Sequence, residues 1–168
     1  MTTFEIVQTV ANIAIALTFA IAAWQLWETK QQANKAAIQK RSEYVISLYN
    51  AFINDKDMVD IYYKLEYSEF KYDNNFHGSD TEKKLDKLLG HFSNIGRLNH
   101  LGILTIGDLK FMEYEFLVMW QNKNIKSYLQ FLDEWFKLRE IKDTKFEYFR
   151  LTGQLLEQAN KKRIELTK

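Results

Sequence analysis

Four polar residues recur at helical spacing near the middle of the chain: His91, Asn94, Arg97 and His100. Successive members stand three residues apart, so on a helix each lies beside the next. A guanidinium next to an imidazole can hold a phosphate and move a proton, which cleavage of RNA through its 2′-hydroxyl requires. The same residues can equally flank a core and cap neighbouring helix ends, as helical histidines commonly do.

The remaining search for chemistry is negative. The sequence has no G-x-x-x-x-G-K-[ST] loop to cradle a nucleoside triphosphate, no G-x-S-x-G elbow and no H-E-x-x-H metal pair. Acidic pairs such as Glu113 and Glu115 fall within amphipathic patterns and read as solvated faces. With no cysteine, disulfides, thiolate metal sites and Cys nucleophiles are excluded. No cofactor and no metal are expected. The reading is a non-enzymatic protein, with the Arg97, His100, His91 and Asn94 cluster as a weak ribonuclease candidate.

The elements that would position this cluster are helical. The 168 residues include no proline and only six glycines, so long helices are permitted throughout. Hydrophobic residues make up 46%, enough for a core, and the length suits one domain plus an anchor. A net charge of +1 gives no electrostatic case for strong nucleic-acid binding. An apolar face through Tyr44, Ile46, Leu48, Tyr49, Phe52 and Ile53 predicts a helix continuing to about Asn54. A shorter aromatic helix is expected over Asp57–Phe70, then a loop over Lys71–Asp80. Ser79-x-x-Glu82 is a capping box opening a helix through Leu85, Leu88, Leu89, Phe92, Ile95 and Leu98, with Gly102 as its stop. Further helices are expected from Asp108, from Asn124 to about Ile141, and from about Thr144 to Leu166. The fold class is all-α: one amino-terminal span (residues 1–28) continuing into a helical bundle (29–168).

That span is the sharpest feature. Between Glu5 and Glu28 lie 22 uncharged residues, Ile6–Trp27. As a helix they cover ~33 Å, against ~30 Å of hydrocarbon. Trp24 and Trp27 mark one interface, and Lys30, Lys35, Lys40 and Arg41 follow. The positive-inside rule then places the bundle in the cytoplasm and the amino terminus outside, with the membrane crossed once. A cleaved signal peptide is the main rival, since Ala20-Ile21-Ala22 could be a cleavage site, although no Lys or Arg precedes the run. A buried core helix is the other.

Within the span, Gln8 and Asn12 lie one turn apart. Amides in hydrocarbon need partners, so these two should face protein or water rather than lipid. Ala16 and Ala20 have the small-xxx-small spacing that lets helices approach closely. One chain supplies one span, so a partner for Asn12 would come from another copy. A homo-oligomer is expected, against a lone helix whose amides sit near the outer interface.

The single span, the alanine-rich segment after it and the stretch "LGHFSNIGRLNHLGILTIGDL" together resemble the small membrane accessory proteins of type VI-B CRISPR systems. They also resemble a broader group of single-span bacterial proteins of this layout. The first resemblance implies a domain related to HEPN folds (higher eukaryote and prokaryote nucleotide-binding) and a functional link to an RNA-guided RNase. It further implies assembly into a ring whose spans surround a pore, and depolarisation of a bacterial inner membrane in antiphage defence. Gln8 and Asn12 would then line or seal that pore. Active HEPN RNases carry Arg, four to six residues, then His. Here only two residues separate Arg97 from His100, which counts against cleavage. A membrane-tethered ribonuclease and a passive anchored interaction protein without a pore stay open as alternatives.

Overall fold

The chain is described by a computed structural model over residues 2–73, 75–142 and 145–166, the side chains of Glu5 and Val10 apart. Those residues are helical, with no strand among them. The elements are α1 (Thr3–Ile53), α2 (Lys56–Glu66), α3 (Asp80–His100), α4 (Ile106–Leu109), a 3-10 turn (Lys110–Met112), α5 (Glu113–Gln121), α6 (Lys123–Leu138) and α7 (Glu147–Leu166). The chain divides into two compact units, one ending at Glu43 and one beginning at Tyr44.

The first unit is helix alone. Proline is absent and alanine frequent, so nothing interrupts the ladder of α1. Its large apolar side chains stay exposed, Leu17 at 59% and Phe19 at 72%. It is long and apolar enough to cross a membrane.

The second unit is a bundle with a real core. α3 and α7 form its most extensive helix pair, with α2 also against α3 and α5 also against α7. Leu85, Leu88, Leu89, Phe92 and Ile95 are fully or almost fully buried, as the periodicity of α3 predicts. Phe92 meets Phe116 edge-on at 4.9 Å between ring centres, and Phe116 stacks on Phe149 at 5.7 Å. Two glycines set how closely the helices approach. A Cβ on Gly96 would stand 2.4 Å from the Tyr148 carbonyl oxygen, and one on Gly153 would stand 2.6 Å from the Trp120 ring. α3 meets α7, and α7 meets α5, at distances that leave no room for a methyl group.

Several helices start on side-chain caps, and several of the expected boundaries move. α2 stops at Glu66, short of Phe70, because Ser68 takes a left-handed backbone (φ +60) and turns the chain. Phe70 still enters the core, against Phe76. The helix expected from Asp108 begins at Ile106 instead, since Thr105 and Asp108 form a reciprocal capping box. A 3-10 turn then separates it from α5. At Ser79 only half the expected box forms. The Ser79 hydroxyl accepts from the Glu82 amide at 3.1 Å, but the Glu82 side chain is drawn to the Gly78 amide at 2.5 Å. α6 begins one residue before Asn124, capped by Asn122, and ends at Leu138 rather than Ile141. Thr144, the expected start of the last helix, lies outside the described residues.

Candidate functional site

Three places could carry function, and the first is the exposed ridge of α1. Residues four apart form the inclined rows by which helices pack. Gln8, Asn12, Ala16, Ala20 and Trp24 fall on one such row. Thr18 lies off it and needs nothing from outside, because its hydroxyl donates to the Ala14 carbonyl at 2.8 Å. Gln8 and Asn12 are exposed, with no side-chain hydrogen bond among the described residues. Trp24, Trp27 and Lys30 are likewise exposed, further along the same helix. Ala16 and Ala20 leave the row low where another helix could lie against it.

The second place is the groove under the His91 cluster. Its volume is about 380 Å³, and His91, Asn94 and Arg97 line it together with Tyr44, Leu48 and Leu98. Asn94 and Arg97 are exposed at its rim. His91 lies deeper, stacked on Phe52 at 6.5 Å, with an Nε2 atom that is buried and without a partner. Burial lowers its pKa, and a hydrogen bond to the Leu48 backbone offsets this only in part. The ring is therefore neutral at pH 7 with its second nitrogen closed from solvent.

His100 does not join the group. Each three-residue step falls ~60° short of a full turn, so three steps carry His100 ~180° around α3 from His91. It packs against Tyr148 at 5.3 Å instead. Arg97, one step before it, stands at the rim of the groove, while His100 turns to the α7 side of α3. No group of three or more metal-ligating side chains occurs among the described residues.

No family model, curated protein or solved structure matches this chain.

The third place was not legible from the residue pattern. His77, in the loop before α3, joins a continuous run of hydrogen bonds. The Tyr72 hydroxyl pairs with His77 Nε2 at 3.0 Å, and His77 Nδ1 with Glu82 Oε1 at 3.2 Å. The Tyr128 hydroxyl donates to Asp86 Oδ1 at 2.7 Å, with Glu82 Oε1 at 3.2 Å as a second acceptor. Lys145 closes the run on Asp86 Oδ2 at 2.7 Å. Burial works to raise the Glu82 pKa, but the Gly78 amide, His77 and the Tyr128 hydroxyl together hold it below the usual carboxylate range. Burial and the two carboxylates push the Tyr128 hydroxyl well above its ordinary value. His77 also lies over Phe131, ring centres 3.9 Å apart, beside an open cavity of about 370 Å³. A histidine in a Gly/Asn/Asp-rich loop gives little warning of this. The only hint was the Glu82 carboxylate five residues on.

Proposed function

We propose that this chain is a single-span membrane effector that acts by self-association, gathering α1 helices around a polar path across the bilayer. The observation that carries this reading is the row of Gln8 and Asn12 with Ala16 and Ala20, on an apolar helix whose side chains are exposed. Amides in hydrocarbon are satisfied by other helices or by water, and a bundle of several α1 copies supplies both. Small residues one turn further along allow the close approach that such a bundle needs.

In this reading the amino terminus faces outward and the HEPN-like bundle lies in the cytoplasm. The basic residues from Lys30 to Arg41 support that orientation, since positive charge collects on the cytoplasmic side. The bundle serves to assemble the spans rather than to catalyse. Opening the path would collapse the membrane potential of the cell. The resemblance to CRISPR-associated accessory proteins supplies the setting: arrest of phage-infected cells alongside an RNA-guided RNase.

Conductance across planar bilayers, together with the mass of the detergent-solubilised particle, tests the proposal. A multimer with discrete conductance is the expected result. A monomer removes the pore, and a multimer without conductance leaves the passive anchored interaction protein in its place.

A further inference from the structure

The cavity beside His77 is a built site that the membrane reading does not use. Its volume of about 370 Å³ is in the range of small-molecule sites and far below what a docked helix requires. His77, Glu82, Phe131, Leu132, Trp135, Phe136 and Lys145 line it, so four of the seven wall residues are rings. Phe131, Trp135 and Phe136 stand on the single helix α6 and are left only partly buried. α6 covers Leu129 and Leu132 and leaves three neighbouring rings half open; Arg139 lies over one face of Trp135 at 3.9 Å, so its other face and the open sides of Phe131 and Phe136 are what it offers for stacking.

The polar part of the wall is already occupied from within. Both nitrogens of His77 are engaged, one by the Tyr72 hydroxyl and one by the Glu82 carboxylate. The two oxygens of Glu82 accept from His77, Tyr128 and the Gly78 amide. An ionised carboxylate only accepts, so His77 Nδ1 donates to Glu82, while Nε2 is taken up by the Tyr72 hydroxyl. One face of the imidazole lies on Phe131, so what it has left for a visitor is its other face and its edge. These bonds also hold the ring in place before anything binds, which cuts the cost of ordering the site.

From these features we infer that the cavity binds a small planar aromatic molecule, stacked among His77, Phe131, Trp135 and Phe136. Lys145, paired with Asp86 at 2.7 Å, stands at its edge. An ammonium carries three N–H donors, so an anionic substituent on the ligand could share this group with Asp86. The inference is independent of the pore.

The test uses the full chain, labelled with 15N-histidine, in lipid nanodiscs with empty nanodiscs as the blank. Naphthalene-2-carboxylate and its neutral analogue 2-naphthylmethanol are the aromatic probes, and cyclohexanecarboxylate is the non-aromatic one. Either aromatic probe should shift the His77 signals in a saturable way while His91 and His100 stay put. Cyclohexanecarboxylate should leave all of them unmoved. Trp135→Leu should weaken the aromatic probe about tenfold, the loss of one good stacking contact. Phe136→Leu should do the same, and serves if the first variant fails to fold by circular dichroism. Failure of both aromatic probes to move His77 overturns the inference, as does equal response to all three. His77 signals that follow protein concentration but ignore the probes also overturn it, because a neighbouring copy then fills the cavity.

Discussion

Tyr128 and Asn12 are both polar groups set among apolar neighbours, and the chain treats them in opposite ways. The Tyr128 hydroxyl, in the core of the bundle, is supplied with two carboxylates drawn from another helix. Asn12, on α1, has no partner among the described residues and no cover at all. A buried polar group left unpaired costs ~1–3 kcal/mol, so a stable fold satisfies it internally wherever its own elements can reach. The bundle does so across separations of more than 40 residues, as in the Tyr128–Asp86 bond. The apolar stretch of α1 has no neighbouring element to do the same. The contrast separates a unit whose interactions are nearly closed from one whose polar side chains are left open.

The largest effect should come from the tightest point of the closed unit. Gly96→Ala places a methyl 2.4 Å from the Tyr148 carbonyl oxygen and 2.5 Å from the Thr152 hydroxyl, against backbone that cannot turn aside. Overpacking of this kind costs ~1–3 kcal/mol or more. Thermal unfolding in detergent, followed by circular dichroism, should show the bundle transition falling by many degrees. Membrane insertion of α1 should persist, because nothing in the bundle contributes to its apolar length. Loss of insertion as well would mean that the two units are not separable.

Next comes the open unit. Gln8→Leu with Asn12→Leu should leave bundle stability unchanged and reduce self-association, at ~0.6–2 kcal/mol per lost interhelical hydrogen bond. Particle mass in detergent as the protein is diluted reads this directly. Thr18→Ala is the matched control, since its hydroxyl is already satisfied by the Ala14 carbonyl. If Thr18→Ala weakens assembly as much as the double variant, the ridge has been placed on the wrong face.

Tyr128→Phe probes the contrast from the other side. It removes one hydroxyl that two carboxylates share and should cost ~1–3 kcal/mol by the same unfolding measurement. It should also narrow the acid range of the protein. Glu82 is held below its unfolded-state pKa, so its contribution to stability is present above that value and lost as pH falls through the folded one. Losing a donor to Glu82 moves that loss to higher pH. An unchanged acid limb would show that Gly78 and His77 suffice.

How much of the molecule is legible in its sequence follows the same division. Length, flanking charges and the absence of proline are local properties, so α1 and its apolar stretch were legible directly. The apolar period of α3 and the cap at Ser79 are local too, and α3 lies close to where the pattern placed it; the Asn122 cap of α6 went unread, and that helix starts one residue earlier than expected. What depends on packing was hidden. Gly96 and Gly153 read as ordinary weak helix positions until the facing helices showed why no side chain fits. His77 gained its role from Tyr72, Glu82 and Phe131, which converge only once the loop closes onto α6. His100 was grouped with His91 by sequence spacing, and the angular drift of a helix separated them.

The smallest expected effect concerns His91, the member of that cluster with the least access to solvent. Burial among Phe52 and Phe92 lowers its pKa beneath the unfolded value, and Nε2 has no partner to receive a proton's charge. Above pH ~6.5 the ring is neutral in both folded and unfolded chains, and its packing counts in full. As pH falls below that, the unfolded chain takes up a proton that the folded chain refuses, and stability declines. His91→Phe keeps a ring against Phe52 and removes the titration. Melting temperature between pH 7 and pH 5 should therefore fall less in the variant than in the parent. The Asp55 carboxylate, the charged group that bears on this ring, is itself held ionised by Lys87 at 2.6 Å and changes little over that range. Equal slopes in the two proteins would mean that His91 finds a proton partner on α1 after all, and the groove would then regain its standing as an acid–base site.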